Sequence, residues 1–429
     1  MKKNFKKLIA LGLVGAMSAA MLVGCGGKEK SEGGSKDGKT VLTMACWDDN
    51  QVKAMKQIGE AYTKANPNVT IEPQVTTWTE YWTKLEASVT GGDAADIMWV
   101  NILHAEEYAE AGILKDLTEV GKNLDVEANF PSELVKGYTV DGKLYAVPKD
   151  FDTNAVFYNK DIFDKAGVAY PTDGMTFEDF AAKCKELKAA GLDEGVFPTA
   201  VNRNSGQTTY YASIFANDGY LLNEDKTKPG WDLPETIAGI QPWLDLVTEG
   251  YSPNLQQMSD TTPDAMFGGG KLAMYLAGDY MIPEFAKTLD VSKFDCVKQP
   301  SYNGKQTGII NGLGYAVSET TKNEKEALKF VEYLGGEEAM KIQGEDGTVI
   351  SARTDAQKYF TDTNKDLNLK VFLEDLDQAR VFDHCKITSE LSTVEKALDD
   401  AWTGTKTLEE VCKTISEKEQ PLLDKMNGK

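Results

Sequence analysis

Residues 40–75 read "TVLTMACWDDNQVKAMKQIGEAYTKANPNVTIEPQV" and carry the pattern that decides the fold. The apolar, β-branched run at the start predicts a strand over 40–47, and the residues that follow, Asp48 to Asn50, are good helix-capping residues. The next run has apolar residues at helical spacing and stops near Pro67. "VTIEPQV" (69–75) then predicts a second strand. The order strand, helix, strand indicates an α/β protein.

The same alternation continues along the chain. "WTEYWTKLEASVTGG" (78–92) predicts a helix closed by two glycines, "ADIMWVN" (95–101) a third strand and "HAEEYAEAG" (104–112) a third helix. This order predicts a largely parallel sheet with helices on both faces. Ligands of such sheets bind beyond the carboxyl ends of the strands. The polar and aromatic residues at those ends, and so the first candidates for a ligand rim, are Trp47, Asp48, Asp49, Trp78 and Asn101.

The N-terminus has the features of an export signal. Four lysines within residues 2–7 precede an apolar run over 8–21, which is short for a membrane span of about 20 residues. The run ends in "LVGC" (22–25), which resembles the lipobox of bacterial lipoproteins. We therefore expect a signal peptide over 1–24, a lipid anchor on Cys25 and a flexible tether over 25–39. The alternative is an ordinary exported protein with a chance cysteine.

Composition narrows the classes of function. The chain has 429 residues, a formal net charge of −21 and 41% hydrophobic residues, which favours two lobes with real cores. Strong acidity argues against nucleic acid and against adhesion to anionic lipid. The five cysteines besides Cys25 are scattered without a CxxC pair, so we expect buried free thiols. With two histidines far apart in the sequence, we expect no metal site and no cofactor.

Three later stretches carry a family resemblance. They are "GKLYAVPKDFDTNAVFYNKDIFDKAGV" (142–168), "GGGKLAMYLAGDYMI" (268–282) and "INGLGYAVSETTKNEKEALKFVEYLGGEEAM" (310–340). In order and spacing they are similar to the family 1 solute-binding proteins of ABC importers, the maltose-binding-protein type. The likeness runs from about residue 40 to the end of the chain.

The resemblance implies an α/β, two-lobe, periplasmic-binding-protein-like fold of type II, with the ligand cleft between the lobes. Three crossings near 150–152, 308–314 and 349–353 would form the hinge, where a few residues absorb domain closure. Each lobe would then combine two separated segments of the chain. We expect lobe one to consist of 40–151 plus 309–350 and lobe two of 152–308 plus 351–429.

The resemblance also implies particular ligand-binding residues. The acid that follows the proline of the first crossing corresponds to Asp152, with Asp150 as its neighbour. The aromatic residue that stacks on the ligand corresponds to Tyr280, where the best-known members have Trp. The ends of the first and third strands correspond to Trp47, Asp49 and Asn101. Because tyrosine adds a hydroxyl group, the identity of the ligand cannot be carried over from those members.

The residues themselves favour a sugar. Carboxylates and amides accept hydrogen bonds from hydroxyl groups, while aromatic rings cover the apolar C–H face. Trp78 precedes its helix and is expected to face the cleft, although Trp78, Tyr81 and Trp82 at helical spacing are equally explained as core.

Three of the candidate residues have two interpretations each. Asp152 suits a ligand role but also a hinge turn, and Trp231, in a Pro-Gly loop, either covers the cleft or packs on a neighbour. Arg353 could donate to a ligand or pair structurally. Gly312 and Gly314 suggest tight backbone turns near the ligand.

The sequence thus predicts a lipid-anchored protein on the extracytoplasmic side of the cell membrane that captures a carbohydrate, an oligosaccharide, by cleft closure. It would deliver the sugar to the permease subunits of an ABC transporter as a monomer, without catalysis, touching the membrane only through its anchor. One alternative keeps the fold and binds a peptide, polyamine or phosphodiester. Another class of alternative is a surface glycoside hydrolase, which needs two suitably spaced carboxyl groups.

Overall fold

A computed structural model describes residues 39–429 apart from residue 375. The predicted signal peptide, the lipid-anchor residue Cys25 and all of the predicted tether except Lys39 lie outside the described residues. In the part that is described, no helix combines the length and the apolar character that a membrane span requires.

The described strands are β1 (Thr40–Cys46), β2 (Val69–Val75), β3 (Ile97–Asn101), β4 (Thr139–Val140), β5 (Lys143–Leu144), β6 (Val147–Asp152), β7 (Asn154–Asn159), β8 (Met274–Gly278), β9 (Phe294–Lys298), β10 (Gly308–Ile309), β11 (Asn311–Val317), β12 (Ile350–Ser351) and β13 (Ala379–Arg380).

The described helices are α1 (Val52–Ala65), α2 (Trp78–Gly91), α3 (Ile102–Glu110), α4 (Thr118–Asn123), α5 (Val126–Asn129), α6 (Ser132–Gly137), α7 (Lys160–Ala166), α8 (Phe177–Ala189), α9 (Tyr210–Ala216), α10 (Pro234–Thr248), α11 (Leu255–Asp260), α12 (Pro263–Gly268), α13 (Ile282–Thr288), α14 (Glu324–Leu334), α15 (Glu337–Asp346), α16 (Gln357–Thr361), α17 (Thr388–Glu395), α18 (Asp399–Trp402) and α19 (Leu408–Met426).

The first lobe is built on a six-stranded sheet with the order β12-β6-β11-β3-β1-β2. β1 is parallel to β2 and β3, as the sequence predicted, while β11 is antiparallel to both β3 and β6. Four strands, β1, β2, β3 and β6, therefore run in the same direction. Because β11 and β12 run the opposite way, the sheet is mixed. The carboxyl ends of four strands consequently meet at one edge.

The second lobe is built on a three-stranded antiparallel sheet with the order β8-β7-β9. Side chains on β7 alternate between two hydrophobic clusters, as a strand covered on both faces requires. Ala155 and Phe157 join the cluster that also fills the first lobe, and Val156 and Tyr158 join the cluster around Trp231 and Trp243.

The two sheets are joined directly through the chain. β6 ends at Asp152 and β7 begins at Asn154, so only Thr153 separates them. A second short link, Ile310, separates β11 from β10, which pairs with β13 in a two-stranded sheet of its own. The Thr153 hydroxyl donates to the carbonyl oxygen of Phe372 at 2.8 Å, which ties this step to a further segment. These short links place the residues on either side of them at the junction of the lobes. The exact division of the chain between the lobes stays a prediction.

Candidate functional site

Strand geometry gathers carboxyl groups at the junction. Asp150 and Asp152 lie two residues apart on β6, so their side chains lie on the same face. β11 places Asn311 opposite Asp152, and β8 places Gly278 opposite Asn154, which brings Asp279 next to the junction. Two carboxyl groups of β6 and a third from the distant segment after β8 thus share one site.

Asp152 is half-buried and surrounded by neutral hydrogen-bond donors. Its carboxylate accepts from the side-chain amide of Gln207, and the side chain of Asn311 also bonds to it. Burial, together with the negative charge of Asp150, raises the pKa of Asp152 to about 8 in spite of these hydrogen bonds. A donor-bearing ligand would stabilise the ionised form of this group.

Asp279 is fully buried beside Asp152. Its Oδ1 accepts from the backbone N–H of Thr153 at 3.2 Å, whereas Oδ2 has no donor among the described residues. Burial and the neighbouring Asp152 hold the pKa of Asp279 well above its usual range. The Oδ1 atoms of Asn154 and Asn311 also lack a donor within the described ranges, although both are buried from water. Buried acceptors without donors call for a partner such as a water, an ion or a ligand.

Asp150 is held differently, by a cation. The Lys149 ammonium group, fully buried, bonds to the carboxylate of Asp150 and to the side-chain oxygen of Gln51. It also lies 4.3 Å from the centre of the Trp99 ring. Burial raises the pKa of Asp150, and Lys149 opposes that rise. We interpret Asp150 as support for the site rather than as its ligand-facing surface.

Aromatic residues cluster at the carboxyl end of β1. Trp47 is 7% exposed and contacts the rings of Trp78, Tyr81, Trp82 and Trp99, with centroid distances of 4.6–5.5 Å. Trp78, at the start of α2, is 50% exposed. Trp78 is therefore the ring of this cluster that can stack on a solute, while Trp47 and Tyr81 support it from below.

The second lobe offers an aromatic residue of its own. Tyr280 lies in a short 3₁₀ turn after β8 and is 36% exposed. Its ring covers Gly278, where an added Cβ would lie 2.3 Å from Cε1 of Tyr280. The glycine thus provides the space in which the ring lies flat against the backbone. Each lobe thus has an exposed aromatic side chain, and Tyr280 lies close enough to the carboxyl groups that burial together with the charges of Asp152 and Asp279 raises its pKa.

Two further predicted residues lie at the strand ends. Asp49 is exposed in the loop after β1, and the side chain of its neighbour Asn50 donates to Glu284 of α13 at 2.7 Å. This hydrogen bond connects the two lobes next to the aromatic residues. Asn101 is buried and caps α3, because its side chain accepts from the N–H of Leu103 at 3.1 Å.

For Trp231 and Arg353 the structure favours the structural one of the two interpretations, and Gly312 lies in a strand rather than in a turn. Trp231 is 1% exposed in the core of the second lobe, because Gly230 lets its loop lie directly on the Tyr220 backbone, so the ring offers no face to a solute. Arg353 is buried and pairs with Asp355 at 3.0 Å, which is the structural interpretation.

Gly312 is the third of these residues. It and Gly314 lie within β11 rather than in turns, and a Cβ at Gly312 would lie 2.7 Å from Leu134.

A separate cavity of about 910 Å³ lies between α3, α6 and segments around residues 215–226 and 380–384, and it contains no predicted site residue. It is bridged by ion pairs of Lys226 with Glu106 and Lys386 with Glu110, at 2.5 and 2.9 Å. No local pattern in the sequence indicates this cavity, because its walls come from distant segments.

The residues missed at the junction are Gln207, Asn154, Asp279 and Asn311. Asp279 immediately precedes Tyr280, so its position next to a predicted ligand residue was a usable signal. The other three depend on strand pairing and loop contacts that no local pattern encodes. The prediction of buried free thiols is confirmed for Cys46, Cys184, Cys296, Cys385 and Cys412.

Two lobes joined by short links, with a polar and aromatic junction between them, define a two-lobed solute-binding protein. A model of the bacterial extracellular solute-binding protein family matches residues 57–369. The chain therefore belongs to that family.

Known relatives and structures agree with this assignment. The multiple sugar-binding protein of Streptococcus mutans is 24% identical over 370 residues, which covers 82% of this chain and 84% of the relative. The maltooligosaccharide ABC transporter solute-binding lipoprotein of Streptococcus pneumoniae is 22% identical over 381 residues, 86% of each chain. A solved ABC substrate-binding protein from Listeria monocytogenes in complex with cycloalternan superposes with a TM-score of 0.81 at 25% identity, covering 91% of this chain and 99% of that one. The structural likeness confirms the predicted two-lobe fold.

Proposed function

We propose that this protein captures a carbohydrate, an oligosaccharide, outside the cytoplasm and delivers it to the permease of an ABC importer. The observation that carries the proposal is the pairing of buried acceptors lacking donors, on Asp279, Asn154 and Asn311, with the exposed ring of Tyr280. Hydroxyl groups of a sugar supply donors, and its C–H face covers a ring. The names of the two streptococcal relatives, a multiple sugar-binding protein and a maltooligosaccharide ABC transporter solute-binding lipoprotein, support the same class of ligand.

Capture would proceed by closure of the lobes. A solute held by Trp78 of the first lobe and Tyr280 of the second makes more contacts when the lobes approach, so it shifts the population towards the closed form. The hydrogen bond between Asn50 and Glu284 would add to that form. The permease would then recognise the closed lobes.

Isothermal titration of the soluble form, residues 39–429, against a panel of mono- and oligosaccharides tests the proposal. We expect saturable heat with one class of oligosaccharide and a loss of binding in Asp152→Ala. Heat only with peptides or polyamines would reject the carbohydrate, and release of new products from the oligosaccharide over time would indicate a glycoside hydrolase. Light scattering during gel filtration would check the proposed monomer.

Membrane attachment through Cys25 is the second part of the proposal. The relative named a lipoprotein supports it, as does the "LVGC" stretch. In bacteria fed labelled palmitate, the full chain should take up label and fractionate with membranes, and Cys25→Ala should abolish the label. Replacing Cys46, a buried thiol, by Ala serves as the matched control and should leave labelling unchanged.

A further inference from the structure

Of the three carboxyl groups at the junction, only Asp150 is bonded to a basic side chain within the described residues. Asp150, Asp152 and Asp279 lie together, and the Lys149 ammonium group is already bonded to Asp150. In the described part of the chain, the charged neighbours that shift the pKa values of Asp152 and Asp279 are other carboxylates. Two carboxyl groups shielded from water next to each other bind a proton or a cation in preference to remaining ionised and alone.

The buried polar atoms of the described residues at the junction that lack a hydrogen-bond partner are all acceptors. Oδ2 of Asp279, Oδ1 of Asn154 and Oδ1 of Asn311 are all acceptors without a donor among the residues described. Asp279 is 0% and Asn154 is 5% exposed, so bulk water does not serve these atoms. Asn154 is also fixed in orientation, because its Nδ2 donates to the carbonyl oxygen of Gln207 at 2.6 Å. When Asp279 is ionised, the ligand group that fits these atoms donates hydrogen bonds and does not accept them.

A protonated amine meets both requirements together. An ammonium group has three N–H donors and no acceptor, and it carries the missing positive charge. A neutral hydroxyl group supplies one donor and no charge, and an N-acetyl group supplies one N–H together with a carbonyl acceptor. A uronic acid would bring a further negative charge to the cluster.

On the assumption that the proposed function is right, we infer that the junction binds a sugar unit carrying a protonated amine, so that the solute is an oligosaccharide containing an amino sugar. Tyr280 would stack on the ring of that unit while Asp279 and Asp152 face its nitrogen. Trp78 would contact a neighbouring unit from the first lobe. The carboxyl groups would then select the amine, and the two aromatic residues would provide most of the apolar contact.

The test compares sugars that differ at a single substituent. Glucosamine, glucose and N-acetylglucosamine, with the matching galactose series and the β-1,4-linked trimers of the glucose series, are titrated calorimetrically at pH 7. Because hydrogen bonds to charged groups are stronger than neutral ones, we expect the amine to bind about tenfold tighter than the hydroxyl analogue, which corresponds to about 1.4 kcal/mol. Equal or tighter binding of neutral sugars would overturn the inference and leave the proposed function intact. If no sugar binds, the proposed function itself fails.

Variants locate the origin of the preference. In Asp279→Asn the ratio of the two dissociation constants should fall towards one, because the charge is lost while the shape of the side chain is kept. Asp264→Asn is the control: it neutralises another largely buried carboxyl group of the second lobe, one that accepts from the Tyr275 hydroxyl at 2.9 Å. We expect that variant to keep the ratio within twofold. An equal fall in both variants would assign the effect to net charge rather than to the junction and would contradict the inference.

Discussion

The exposed ring of Tyr280 gives the most direct test of the site. Complete burial of an aromatic side chain removes roughly 150–250 Å² from water, so covering the exposed 36% of Tyr280 corresponds to about 55–90 Å². At about 25 cal/mol per Å² this contact contributes about 1.4–2.3 kcal/mol. Tyr280→Ala should therefore weaken binding of the solute by about 10- to 50-fold, measured by calorimetry. Tyr280→Phe, which keeps the ring, should remain within about threefold of the unmodified protein.

Gly278→Ala perturbs the same contact without removing the ring. The new Cβ would lie 2.3 Å from Cε1 and 2.7 Å from Cδ1 of Tyr280, so the ring must turn away from its position. We expect a loss of affinity in the same direction as that of Tyr280→Ala, with circular dichroism unchanged.

Tyr170 provides the control for both variants. It is a tyrosine of similar exposure, 38%, whose hydroxyl donates to Asp164 away from the junction. Tyr170→Ala should not alter affinity. Binding by Tyr280→Ala within twofold of the unmodified protein, or an equal loss in Tyr170→Ala, would refute the assignment of the stacking residue.

Three further predictions separate binding from stability. Trp78→Ala should weaken solute binding at least fivefold with little change in urea unfolding, whereas Trp47→Ala, which removes a buried ring, should lower the free energy of unfolding by about 3–5 kcal/mol. Trp231→Ala should likewise destabilise by about 3–5 kcal/mol and leave affinity at 25 °C unchanged within threefold, because its ring lies in the core. Burial raises the pKa of Glu419 to about 9, so the folded protein holds a proton that the unfolded chain releases. Stability should therefore decrease as the pH rises from about 5 to about 9, and less so in Glu419→Gln.

Each of these predictions has a result that contradicts it. A large drop in stability in Trp78→Ala would show that the Trp78 ring acts as part of the core. A selective loss of affinity in Trp231→Ala would show that the Trp231 ring contributes to the binding site. For Glu419, the free energy of unfolding is measured by urea titration at pH 6 and pH 9. The same change between the two pH values in the variant and in the unmodified protein would show that Glu419 does not cause the pH dependence of stability.

The first lobe was predictable because its information is local. The strand–helix alternation over residues 40–112 appears in the structure as β1 to α3, and α1 buries Met55, Ile58 and Tyr62 as its apolar spacing required. The mixed character of the sheet was not predicted. β11 returns from the second lobe and enters between β6 and β3, and nothing in its own residues shows that neighbour or that direction.

Those residues of the site could be predicted whose importance follows from their own place in the sequence. Asp152, Trp78 and Tyr280 appear beside the junction or exposed on its flanks, but their role in binding stays a prediction. Gln207 and Asn154 were missed because their importance arises only when a loop folds against a strand pair. Trp231 was left with two interpretations because a Pro-Gly loop usually indicates the surface, whereas here the missing side chain of Gly230 allows close packing that encloses the ring.

The single residue between β6 and β7 also has a mechanical consequence. Two bodies that rotate about a short link sweep large distances at their far edges and almost none along the axis. Asp152, Asn154 and Asn311 flank the two links and would therefore move little, whereas Trp78 and Tyr280 belong to different lobes and would move relative to each other. Recognition of the solute's chemistry would therefore already be in place before closure, and the rate of escape would depend on the outer rings. Substituting Trp78 or Tyr280 by another aromatic residue would therefore change the residence time of the solute but not the chemical group that the site selects.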